Sequence, residues 1–185
     1  MTADLDPANR QFSLAKLIGL VTLIALLFGS VKFVGWESLI YPGWGLGVVG
    51  AVGITSKFTR RAHSFEQFFL ALSAAVGGGT LAAFCSALIA GAMHSAAADA
   101  DSISLSSGDL AGIFAMQGAI AGGLVVVLAG IAATVSAAIT PAHRRTYISK
   151  ERSGELTFGW RVTVHSAVII GLGWVLIVAV SIIWE

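Results

Sequence analysis

Charge is what this sequence has least of. Of its 185 residues, 11 are Lys or Arg and 10 are Asp or Glu, whereas a soluble domain carries about a quarter of its residues charged. A chain this poor in charge cannot clothe a water-soluble globule of its size. The formal charge of +1 provides no field for a polyanion, so no nucleic-acid partner is expected. A single cysteine excludes an internal disulfide and a Cys-based metal cluster. Cys85 lies within an apolar run and reads as a small buried hydrophobe.

The few charges are also absent from the places where membrane chemistry needs them. No Asp, Glu, Lys or Arg lies near the middle of any long apolar stretch. Ion-coupled transport usually requires such a group at depth, so the absence counts against it. There is no His-x-x-x-His pair or Cys/His spacing for a metal, since His63, His94 and His143 flank separate loops. His165, about one turn inside the last stretch, reads as an interfacial or packed imidazole. No Gly-x-Ser-x-Gly elbow occurs, nor an intramembrane Ser-plus-His arrangement of the rhomboid kind. The chain is therefore not expected to be an enzyme, and no catalytic residue, metal or cofactor is expected. Gly45-Leu46-Gly47-Val48-Val49-Gly50 matches the dinucleotide-binding pattern. That motif needs a preceding strand, a phosphate-accessible turn and an acidic residue about 20 positions on within a soluble βαβ unit, whereas here the surroundings are apolar throughout and Lys57 follows almost at once.

What remains is 56% hydrophobic, with a mean hydropathy of +0.86. After a polar tail over residues 1–13, one helical membrane domain is expected over 14–184. Its spans cover about 14–34, 39–56, 67–93, 110–140 and 162–184. A helix needs roughly 20 residues to cross a hydrocarbon core about 30 Å thick. The fold class expected is thus all-α integral membrane protein with five transmembrane helices. The first segment reads as an uncleaved anchor, because Phe28-Gly29-Ser30-Val31-Lys32 offers no small-x-small cleavage site. Its Phe12-Ser13-Leu14 start and its Thr22-Leu23-Ile24-Ala25-Leu26-Leu27 run resemble a first-helix pattern recurring in small bacterial membrane proteins. That resemblance implies a cell-membrane location and no activity. Trp36, Tyr41 and Trp44 beside Pro42 fit a chain turning at the lipid headgroups.

Charge position then orients the helices. Arg10, Lys16, Lys57, Arg60, Arg61, Arg144, Arg145, Lys150, Arg152 and Arg161 fall on one side if there are five spans, and Lys32 alone on the other. Positively charged loops stay in the cytoplasm, so the N-terminus is expected inside and the C-terminus outside. Making the short, glycine-rich second segment re-entrant would destroy that bias. Arg60, Arg61, Arg144 and Arg145 are also candidates for holding an anionic lipid headgroup. The bland alternative is that they only set topology.

Small residues sort the helices by role. In a bilayer, helices associate through close packing and hydrogen bonds rather than a hydrophobic drive, so small faces mark contacts. Gly43, Gly47 and Ala51 form one row. The third segment carries two neighbouring rows, Ala74, Gly78, Ala82, Ser86, Ala90 and Ala75, Gly79, Ala83, Ala87, Gly91. The fourth has Ala111, Ala115, Ala119, Gly123 and the pair Gly118, Gly122. Helices two to four should form the packed core. One of the two rows on the third segment is available for a second copy of the chain or for another membrane protein. At 1.5 Å per residue the third and fourth segments are overlong for a bilayer, so they tilt or protrude. Asp109 or Ser107 is expected to cap the fourth helix, and Pro141 to end it.

Gln117 is the deepest strongly polar side chain. Counting inward from Asp109 and from His94 places Gln117 and Ser86 at the same depth, about 12 Å below the helix ends. A hydrogen bond from Gln117 to the third segment near Cys85 or Ser86 is expected. The function read from these features is an accessory, scaffold or oligomerising membrane subunit in contact with lipid. The alternative is a small-solute channel or facilitator walled by the third and fourth helices, with Thr80, Ser86 and Gln117 on its path.

Overall fold

A computed structural model of the protein describes residues 36–97, 106–139 and 157–184. In the first apolar segment it also describes Leu17, Ile18, Val21, Thr22, Ile24, Ala25, Phe28, Gly29 and Lys32, all helical. A 3₁₀ turn, Trp36–Leu39, leads into four long helices: α1 (Ile40–Phe58), α2 (Ser64–Ala97), α3 (Ser107–Ile139) and α4 (Phe158–Trp184). The described residues are all-helical, and α2, α3 and α4 are each long and apolar enough to cross a membrane. α1 has 19 residues, about 28 Å of helix. With five glycines and Pro42, it is not among the three helices apolar enough to span.

The helix ends follow from local polar chemistry rather than from where the apolar run stops. α2 begins at Ser64, ahead of Gln67, because the Glu66 carboxylate reaches back to accept from the His63 backbone N–H at 3.3 Å. That is one half of a capping box. α3 begins at Ser107, where Ser106 accepts from the Gly108 N–H at 3.3 Å. Ser106, and neither Ser107 nor Asp109, is the cap. The Ser106 carbonyl already accepts from the Leu110 N–H at 3.1 Å, the arrangement that puts its side chain within reach of the free first-turn amides. α1 closes through the Thr59 N–H and Oγ1, which donate to the Thr55 carbonyl at 3.0 and 2.8 Å.

Consecutive helices run antiparallel. Gly43 lies against Ser86, Gly47 against Ala82, and Ala51 against Gly78, one contact per helical turn along α1 and α2. Gly122 meets Ala75, Gly118 meets Gly79 and Ala83, and Gly130 meets the Phe68 ring, so α3 runs back along α2. Gly45 faces Ile170, Gly53 faces Thr163, and Gly159 faces Ser56, so α4 runs antiparallel to α1. The ends of α1 and α3 and the starts of α2 and α4 therefore share one end of the bundle. The α2–α3 hairpin extends past α1 at the opposite end, since Ile40 packs beside Ala87, Ala90 and Ala111. This leaves the last turns of α2 beyond α1.

The core is built from small side chains and the surface from large ones. Val48, Val52, Ala71, Ala75, Val126, Ala129, Ala133 and Val162 form the main buried cluster. Phe65, Leu81, Phe84 and Ile89 on α2 are exposed, as are Ile113, Met116, Ile120, Leu124, Leu128 and Ile131 on α3 and Leu172, Leu176 and Ile183 on α4. Such an apolar exterior is stable only in a solvent as apolar as itself. The helix hydroxyls agree. Ser73, Thr80, Thr134 and Ser181 each donate to the carbonyl four residues back, at 2.9, 2.6, 2.5 and 2.9 Å. They thereby satisfy themselves without water, as a lipid-embedded helix requires.

Candidate functional site: the glycine seams and their polar ties

The two small rows of α2 face two different helices of the same chain. Gly78, Ala82 and Ser86 serve α1, whereas Ala75, Gly79, Ala83 and Gly91 serve α3. Neither row is left over for a second copy, so any oligomer must use another surface. Ala74, at the end of the first row, is half-buried. Three consecutive glycines divide the work. A methyl at Gly78 would come within 3.0 Å of the Gly47 carbonyl oxygen, and one at Gly79 within 2.8 Å of the Gly118 carbonyl oxygen, while Gly77 faces open space. A Cβ at Gly118 or Gly122 would lie 2.8 Å from the carbonyl oxygen of Gly79 or Ala75. At these points backbone packs on backbone, which a side chain of any size would prevent.

Trp44 sits where the two seams meet. Its indole Nε1–H donates to the Gly118 carbonyl at 3.1 Å. A Cβ at Gly79 would lie 3.1 Å from that nitrogen. The sequence placed Trp44 at the headgroups with Tyr41, but it is turned inward and ties α1 to α3 across α2. Tyr41, three residues earlier, is exposed.

The second tie is Gln67, 5% exposed. Its Nε2 donates to the Thr59 and Ala62 carbonyls, both at 3.0 Å, which closes the α1–α2 turn. Its Oε1 accepts from the Gly159 N–H at 2.8 Å, satisfying one of the free amides that open α4. Beside it, Thr163 Oγ1 donates to the Gly159 carbonyl at 2.9 Å and lies 3.4 Å from Ser56 Oγ. One amide thus joins the ends of three helices. In the sequence Gln67 stands at the polar edge of an apolar run, which hides its role. Its proximity to the Thr59–His63 turn was the available signal.

The other expected site residues fall apart. Gln117 is exposed and makes no hydrogen bond, and Ser86 lies against Gly43 on α1. The pair does not form because the α2–α3 register differs from an equal count inward from His94 and Asp109. With Gly79 on Gly118, Gln117 stands beside Thr80, about one and a half turns from Ser86. Cys85 is exposed rather than buried, since the rows through Ala82 and Ala83 take the two contact faces and leave Leu81, Phe84 and Cys85 outward. His165 is half-buried, with Nδ1 2.8 Å from the Arg161 carbonyl. Arg60 and Arg61 are exposed on the α1–α2 turn; Arg144 and Arg145 lie outside the described residues. Ser166 Oγ, wholly buried on α4, is the one buried side-chain polar atom without a partner among the described residues. No group of three His, Cys, Asp or Glu side chains comes together among them.

No protein-family model, curated protein or solved structure matches this chain.

Proposed function

We propose that this chain is a non-enzymatic, five-span protein of a bacterial cytoplasmic membrane, with its N-terminus inside and C-terminus outside, that works as an accessory or scaffold subunit. The observation that carries this reading is the α2–α3 seam. It packs backbone to backbone through Gly79, Gly118, Ala75 and Gly122, and this leaves no room for a solute between the two helices. A facilitator would need Thr80, Ser86 and Gln117 along one path. Thr80 turns back onto its own helix, Ser86 faces α1, and Gln117 lies on the outside. The orientation is supported by Lys57, Arg60, Arg61 and Arg161, which collect at the end shared by the α1–α2 turn and the start of α4. Lipid contacts the large aliphatic exterior, and a partner subunit would dock on part of it.

The test is copurification of the tagged chain from native membranes in mild detergent. A membrane protein recovered in fixed stoichiometry is the expected result. Recovery of the chain alone, together with solute flux through liposomes containing it, would replace the scaffold reading by the facilitator one.

A further inference from the structure

Beside the exposed Gln117, at the end of the bundle where α1 begins, two hollows adjoin. One, of about 150 Å³, lies between α1 and α3 and reaches from Tyr41 and Trp44 to Gln117. The other, of about 250 Å³, lies between the start of α1, α3 and the second half of α4, and reaches from Ser38 to Trp174 and Ser181. Tyr41 and Phe114 line both, forming a ridge with a hollow on each side. The hollows exist because α4 holds the bundle near Gly159, Thr163 and Ile170. Among the described side chains of its later turns, Trp174, Val178 and Ser181 alone are half-buried.

Three polar groups along this ridge offer donors to its hollows. The Tyr41 hydroxyl, the Gln117 amide and the Trp174 indole N–H make no hydrogen bond within the chain, whereas the nearby Ser181 hydroxyl donates to the Ile177 carbonyl. All three are donors, and their surroundings are apolar: Ile40, Ala121, Ile177 and Val178 complete the walls. A donor facing hydrocarbon without an acceptor is costly, so the ridge calls for a neutral acceptor carried on an apolar body. Tyr and Trp side chains stand at the level where lipid esters lie. A pocket that is mostly apolar with a few convergent polar groups is the usual form of a small-molecule site.

We infer that the Tyr41–Phe114 ridge is a binding site for a diacyl glycerolipid, with one acyl chain in each hollow and the ester carbonyls accepting from Gln117, Tyr41 and Trp174. Each hollow admits a stretch of a single chain. The inference needs the membrane setting but not the accessory role, so it stands if no partner subunit copurifies.

The full chain, delipidated in detergent, is titrated with diacyl phosphatidylglycerol and with its diether analogue, which has the same tails and headgroup but no carbonyls. Bound lipid is read by native mass spectrometry. One ester lipid is expected to bind at least about 5-fold more tightly than the diether. Tyr41→Phe combined with Gln117→Leu should abolish that preference while the helical circular dichroism stays unchanged. Ser73→Ala, on the outer face of α2, should preserve it. Equal binding of ester and diether lipids by the unmodified chain overturns the site, because it marks general coating of the apolar surface. A photoreactive residue at position 114 supplies the second arm. A lipid adduct supports the site, whereas a crosslink to residues 14–35 or to a second copy of the chain shows that protein covers the ridge.

Discussion

Gly77, Gly78 and Gly79 show how far the meaning of a residue depends on its neighbours. The three are identical in sequence, share one helix turn and differ only in what lies opposite. Gly77 meets nothing within 4 Å, and Ala is better than Gly in a helix by about 0.5–1 kcal/mol. Gly77→Ala should therefore raise stability slightly. Gly78→Ala and Gly79→Ala would push a methyl to 3.0 and 2.8 Å from backbone carbonyl oxygens, which cannot retreat without moving a helix. Both should lower stability, by about 1–3 kcal/mol for an overpacked site. Thermal unfolding in one detergent, read by circular dichroism, compares the three. A common sign for all three substitutions would contradict the seams. Trp44 belongs to the same scale. It stands only about 60° from Tyr41 around the helix, yet its indole donates to the Gly118 carbonyl while Tyr41 stays exposed.

Among the helices, α4 is held least continuously. Its first half packs on α1 and on the Val126–Ala133 part of the core, and its opening N–H groups meet Gln67. Gln67 links this start to the α1–α2 turn, so removing its amide should release α4 before it affects the α2–α3 hairpin. Gln67→Leu removes a donor from the Ala62 carbonyl and from the Thr59 carbonyl, which keeps the Ala62 N–H, and leaves the Gly159 N–H without its acceptor. A buried polar group stripped of its bond costs roughly 1–3 kcal/mol. The expected outcome is faster amide hydrogen exchange at Gly159, Trp160 and Arg161, with Gly118 to Val126 unchanged. Uniform acceleration across all helices would mean that Gln67 supports the whole fold rather than the docking of one element.

For the whole molecule, the proposed topology makes an accessibility prediction. In a Cys85→Ala background, Ser102→Cys in the α2–α3 loop should react with a membrane-impermeant thiol reagent added to intact cells. Arg61→Cys should react only after the membrane is broken. Labelling of both from outside would overturn the positive-inside assignment. The structure adds a reason to expect a clear result. The α2–α3 hairpin reaches past α1 by more than a turn, so the last turns of α2 stand beyond the start of α1.

The sequence by itself determined an all-helical chain with spans apolar enough for a membrane, and the positions of α1 to α4 to within a few residues. Scarce charge and long apolar runs admit few other solvents, and glycine and alanine in rows four apart leave room only for another helix. It also carried the direction in which each row points, since Gly78 and Gly79 are 100° apart on any α-helix. Only the tertiary structure decided what each row meets. Both rows of α2 are filled from within the chain, Gln117 stands apart from Ser86, and Gln67 rather than Gln117 is the amide that ties helices together. The reason is register. A count inward from two helix ends assumes that those ends lie level, whereas packing slides one helix along the other until glycine meets glycine. A slide of one and a half turns is invisible in either helix alone, yet it changes every polar partner along the seam.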